Sequence, residues 1–232
     1  MGIIGDKFRA MKRHMIFASA LFAGLAATPV AQACSLISGY KVPTTLELSA
    51  SAEAIILARV GRALPVEEDD FMGVIELVPE TLIHGAALPE TLTMPGYVVV
   101  DGRVGEDEVP VTKSDPEELA AANPDAFAGA CNRYAFDEGM LLLLFLERGE
   151  DGDLQVISDA FARTMEDVPD ADAPWVRAVR FYAQVARDPK PLRRKKLAAE
   201  RDRLLATGDR IDALIAKDIE RQIRGKRSQN FD

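Results

Sequence analysis

The apolar positions of this 232-residue chain follow two different periods. Up to about residue 173 they fall in short runs punctuated by Gly and Pro, the pattern of strands. AIILARV at 54–60 predicts one strand, and VIELV at 74–78 predicts another that continues toward Leu82 and Ile83. LTM at 92–94 and YVVV at 97–100 follow, bounded by Pro or Gly. MLLLLFLE at 140–147 is almost wholly apolar and predicts a central strand buried on both faces. Residues 154–158 are its expected hairpin partner across 149–153. Two short helices are expected, one over 45–52 and one over 115–122. The second rests on Ser114 and Glu117 as a capping box, with Pro116 in the first turn.

Beyond residue 173 the period becomes helical. Trp175, Val179, Tyr182 and Ala186 line one face of a first helix, which Pro189 and Pro191 end. A second runs over 192–206. The third is the clearest, with Ile211, Leu214, Ile215, Asp218, Ile219 and Gln222 at i, i+3, i+4, i+7, i+8 and i+11. Thr207 and Gly208 separate the last two. No internal repeat is visible.

The first 33 residues follow neither pattern. Lys7, Arg9, Lys12, Arg13 and His14 form a basic start, an apolar stretch runs from Met15 to Ala27, and Ala31-Gln32-Ala33 supplies a small-x-small site. Together they read as an export signal, with Met11 as an alternative start. The apolar stretch is short for a membrane anchor. A lipoprotein with Cys34 acylated is a second alternative, which Ala31 and Gln32 fit poorly. The expected organisation is a signal over 1–33, a strand-rich domain over 34–173 and a helical segment over 174–232, in a periplasmic or extracellular protein.

Charge sharpens the division. Residues 34–173 carry 8 Lys/Arg against 28 Asp/Glu, net −20, whereas residues 174–232 carry 16 against 8, net +8. A basic helical segment is thus expected to pack on an acidic body, its charge offsetting the body's. Arg193, Arg194, Lys195 and Lys196, with Lys226 and Arg227, form the densest basic surface and could touch anionic lipid or polyanions.

The two cysteines, in an exported chain, suggest a Cys34–Cys131 disulfide. In the chain-entropy model, closing a loop of about 100 residues contributes roughly 4.7 kcal/mol.

The mature start Cys34-Ser35, then AIILARV, then VIELVPETLIHG with its corner at Ile83-His84-Gly85, then CNRYAFDEGMLLLLFLERGEDGDLQV occur in an order that resembles the netrin-like module. In particular it resembles the tissue-inhibitor-of-metalloproteinases-like domains of secreted bacterial proteins, over roughly 34–165. The resemblance implies a mainly β fold, a five-stranded OB-type barrel with short helices, here followed by the C-terminal α-helical segment. It places Cys34 and Cys131 at the family's first disulfide, with Gly139 and Leu141 to Leu144 on the strand that follows. The chain departs from the family where Leu36 replaces the second Cys of Cys-x-Cys. That cysteine's usual partner would fall near Asp159, and Asn132 stands where a Gly is common. In the animal inhibitors the N-terminal Cys chelates a target protease's zinc through its α-amino group and carbonyl, and the next side chain enters the specificity pocket. The resemblance carries that role to Cys34 and Ser35, with an ordinary α-amino pKa near 8 easing deprotonation on the metal.

Other chemistry has little material. His84 is the only His beyond the signal, and it is expected to cap a strand–loop corner rather than serve a triad or zinc site. The acidic runs 67–70 and 106–108 could hold Ca²⁺ weakly. Glu150-Asp151-Gly152-Asp153 reads as a solvated hairpin turn without EF-hand spacing. The acidic, aromatic-poor body excludes a nucleic-acid groove. The expectation is therefore a non-enzymatic, cofactor-free protein-interaction module, in its sharper form an inhibitor of a zinc metalloprotease. The competing class is a cell-envelope protein that binds anionic surfaces through its basic tail.

Overall fold

A computed structural model describes residues 36–65 and 72–228. The signal-like segment, Cys34, Ser35 and the acidic run 67–70 lie outside the described residues.

Helix α1 (Thr45–Ser51) begins at a capping box. Thr44 Oγ1 accepts from the Glu47 amide at 3.3 Å, and Glu47 Oε2 accepts from the Thr44 amide at 2.8 Å. Strands β1 (Ala54–Leu64) and β2 (Val74–His84) form a long antiparallel pair with three register shifts. One shift falls between Leu57 and Ala58, beside Pro79. It lets a residue without an N–H sit inside an 11-residue strand. His84 ends β2, and Gly85 turns the chain away at φ 122°.

Strand β3 (Leu92–Pro95) pairs with β2. β4 (Tyr97–Val99) leaves this sheet and runs parallel to β7 (Ala135–Asp137). Between them lie a two-residue ribbon, β5 (Arg103–Val104) with β6 (Asp107–Glu108), and a 3₁₀ turn at Pro124–Phe127. The central strand is β8 (Leu141–Arg148), whose residues 141–146 are all buried. On one side it pairs with β1. On the other it takes β9 (Leu154–Val156) at 146–148 and β10 (Met165–Asp167) at 142–144. The edge partner of β8 is thus a single line of chain interrupted by residues 157–164.

The sheet order is β3-β2-β1-β8, with β9 and β10 sharing the far edge. Alternating side chains of these strands, among them Ile56, Ala58, Ile75, Leu77, Leu142 and Leu144, close on Phe136 and Val98 as one core. β3 and β9 approach without pairing, and a cleft of about 400 Å³ separates 89–93 from Arg148 and 152–154. The sheet is therefore not a closed barrel.

Three helices complete the chain: α2 (Pro174–Val185), α3 (Lys190–Ala206) and α4 (Arg210–Arg224). Strand and helix contents are about equal, which corrects the mainly β expectation. The helices contribute core rather than ornament: Trp175, Val176, Val179 and Tyr182 are fully buried, and Trp175 lies against Phe145 of β8 with ring centres 6.0 Å apart.

The helix expected over 115–122 is absent. Ser114 does not cap it, because its hydroxyl donates to the buried Glu166 carboxylate at 2.6 Å. Glu117 instead pairs with Arg210 of α4 at 2.7 Å. Pro191, expected to end the first tail helix, sits in the first turn of α3, where its missing N–H costs nothing.

Candidate interaction ridge and its support

The interruption in the edge of β8 builds the most distinctive surface of the body. Ile157 and Thr164 still bond the two sides of Phe145, at 2.9 and 3.1 Å, so the chain between them must loop outward. Two non-glycine residues hold the loop in left-handed backbone, Phe161 at φ 58° and Cys131 at φ 65°. Such conformations cost about 1–3 kcal/mol each and persist only where neighbours fix them. Here the Phe161 amide donates to the Cys131 carbonyl at 2.8 Å. The Phe161 ring stacks on Phe127 at 4.9 Å.

A third segment joins them. The Tyr40 hydroxyl donates to the Ala160 carbonyl at 3.0 Å. Burial, then the neighbouring Asp159 carboxylate, push the Tyr40 hydroxyl up to about 12. Burial also raises Asp159 itself. Asn132 completes the junction. With its Nδ2 toward the Cys131 and Asp159 carbonyls, at 3.2 and 3.1 Å, its Oδ1 accepts from Ser158 Oγ at 2.9 Å. The ridge carries apolar groups toward solvent: Phe127 is 38% exposed, and Ile37, at the turn closed by the Tyr40 amide, is 78% exposed. Ile37 is the second of the described residues, which start at residue 36. No cysteine is free among the described residues. Cys34 and Ser35 lie outside them, and their pairing and zinc role remain proposals.

Behind the ridge lies a set of buried charges that no periodicity announced. Arg133, 2% exposed at its side chain, pairs with Asp167 at 2.5 Å, donates to the Thr112 carbonyl at 2.9 Å and lies 4.9 Å above the Phe136 ring. Burial alone would raise the Asp167 carboxyl, but Arg133 and the Ser114 amide outweigh it and hold it below the ordinary value. Glu166 accepts from Ser114 Oγ and, at 2.9 Å, from the Asn123 amide. Arg163 spreads over Trp175 at 4.3 Å and donates to the Ala121 carbonyl. The 109–125 segment, almost devoid of regular structure, is thereby fastened to β10.

The tail docks by similar means. Arg187 donates to the Ala52 carbonyl at 2.9 Å, and Gln222 Oε1 accepts from the Leu46 amide at 3.3 Å. Arg227 meets Glu47 and the Val42 carbonyl, and Arg221 donates to the Leu119 carbonyl. Asp218, buried between Tyr182, Arg221 and Gln222, has its carboxyl raised by burial against the pull of Arg221 and of the 2.5 Å bond from Tyr182.

The remaining sequence candidates separate. His84 lies at the β2 corner, with burial, then Arg187, lowering its imidazole below the usual range. Residues 150–153 form the exposed hairpin turn. Asp107 and Glu108 lie on the exposed two-residue ribbon. Arg193, Arg194, Lys195 and Lys196 lie together in the first turns of α3, far along the chain from the ridge. Among the described residues no three His, Cys, Asp or Glu side chains gather as a metal site. No known family model matches the chain, and no curated protein matches it.

Proposed function

We propose that this is an exported, non-enzymatic protein-interaction module on an OB-type scaffold, and that its ridge inhibits a zinc metalloprotease through the mature N-terminus. The strand order supports the scaffold reading. Five strands in the order β3-β2-β1-β8-β9 bring the two outermost strands near each other, the layout of a partly open five-stranded barrel. The ridge supports the functional reading: Cys131, held in left-handed backbone, is bonded through its carbonyl to the loop that carries the exposed apolar surface. A Cys34–Cys131 bridge there would hold a free α-amino group and carbonyl rigidly enough to chelate a metal, with Ser35 directed outward.

The test compares mature protein beginning at Cys34 with a form extended by one N-terminal Ala, against a panel of zinc metalloproteases. Inhibition by the first and its loss in the second is the expected result. Equal inhibition by both removes chelation. Absence of inhibition by either removes the protease reading and leaves only the interaction module. Intact mass measured before and after reduction checks the bridge, whose reduction adds two hydrogens.

A further inference from the structure

The second face of interest lies on α3, and its reading is independent of the ridge. Of the 17 residues of α3 only Leu197 and Leu204 are buried. They rest on α4, and α4 in turn rests on the body through Gln222, Arg221 and Arg210. α3 is therefore an outer layer, about one helix diameter, or roughly 10 Å, beyond the helix that meets the acidic body.

Its charges are placed against its own stability. Lys190, Arg193, Arg194, Lys195 and Lys196 occupy the first two turns, with no acidic residue in the first turn and no side-chain cap on Pro189. A helix N-terminus already carries partial positive charge, and acids rather than cations stabilise it. Asp188 relieves part of this, taking Lys196 Nζ at 2.8 Å and, through its carbonyl, Arg193 at 3.0 Å. Arg194 and Lys195 are exposed and make no ion pair among the described residues. Leu192, 43% exposed, shares a face with Lys195, Lys196 and Ala199 at i, i+3, i+4 and i+7. Local rules of this kind are broken in natural proteins chiefly at functional or strained sites.

We propose that this outer face of α3 docks on an anionic lipid surface. Cations flank an apolar side chain at the tip of a helix, so the cations meet headgroups while Leu192 reaches the acyl boundary, which a soluble polyanion does not offer. The opposing body, net −20 over residues 34–173, does not prevent this. The screening length at 0.1 M salt is about 10 Å, comparable to the helical layer between them, and the opposite charges of the two faces orient the molecule with α3 toward the surface.

The experiment is co-sedimentation of the full mature protein with phosphatidylglycerol-containing vesicles and with neutral phosphatidylcholine vesicles, at low and high salt. The comparison variants are Arg194→Glu with Lys195→Glu, and Leu192→Ser. All three side chains are exposed, and circular dichroism with thermal unfolding confirms that the variants fold. Each cation at such a surface is worth about fivefold in affinity. The double charge reversal is therefore expected to weaken binding at least tenfold, salt to weaken it further, and Leu192→Ser to weaken it severalfold. Three results overturn the proposal: no preference for anionic vesicles, binding unchanged by the charge reversal, or Leu192→Ser binding as well as the parent while soluble polyphosphate competes fully. The last would assign the face to a polyanion. None of these outcomes depends on whether any protease is inhibited.

Discussion

At the scale of single residues, the fold depends on charges where apolar groups would be expected. Arg133 and Asp167 form a nearly dry pair. Removing one partner strands the other without solvent, so Arg133→Ala is expected to cost about 3–5 kcal/mol in denaturant unfolding. The two buried carboxylates respond to pH with opposite sign. Asp167 titrates below its unfolded value, so its contribution is present at neutral pH and is lost as pH falls from the ordinary carboxylate range through its lower folded value. Asp218 titrates above its unfolded value, so its contribution is greatest in acid and is lost as pH rises through its folded value. The destabilisation caused by Asp167→Asn, measured by urea unfolding, should accordingly shrink as the solution is acidified. Tyr182→Phe removes a bond to a buried carboxylate and should cost about 1.5–3 kcal/mol at neutral pH. Tyr182 and Asp218 stood on predicted helix faces, but the Arg133–Asp167 pair was not legible in the sequence, because it joins positions 34 apart with no period to reveal it.

At the scale of elements, the strongly patterned segments were legible and the polar ones were not. MLLLLFLE announced the central strand, because a run without polar residues must be covered on both faces. The third tail helix followed its predicted stripe, with Asp209 capping its start and Gly225, at φ 63°, closing its end. The failed helix over 115–122 shows the limit. Ser114 and Glu117 have the right spacing, but stronger partners, Glu166 and Arg210, lie elsewhere in the chain and take both side chains. The hairpin partner at β9 was legible, but β10 escaped because residues 157–164 break the alternation between them. The β1–β2 pair carries its own check: a Cβ on Gly61 would stand 2.8 Å from the Glu76 carbonyl oxygen, which is backbone and cannot yield cheaply. Gly61→Ala should lower the thermal midpoint, with about 1–3 kcal/mol lost.

At the scale of the whole molecule, the change from strand to helix near residue 173 marks a change of element type, while the interior runs on across it. Trp175 and Tyr182 fill volume beside β8, and Arg163 needs the Trp175 face. A chain ending at residue 173 should therefore lack a cooperative unfolding transition, as read by calorimetry. By contrast, Arg210→Ala breaks only an exposed pair and should shift stability by less than about 1 kcal/mol. Pairs such as Arg227 with Glu47 lie where the two parts meet, while apolar burial holds them there.

The unclosed seam between β3 and β9 has a consequence for solubility. Each strand presents amide and carbonyl groups that a neighbouring molecule could take up, growing an endless ribbon. Glu90, Arg148 and Asp153 stand around that gap as gatekeepers. Replacing all three with valine should leave the isolated fold intact and turn concentrated solutions fibrous, visible as thioflavin fluorescence.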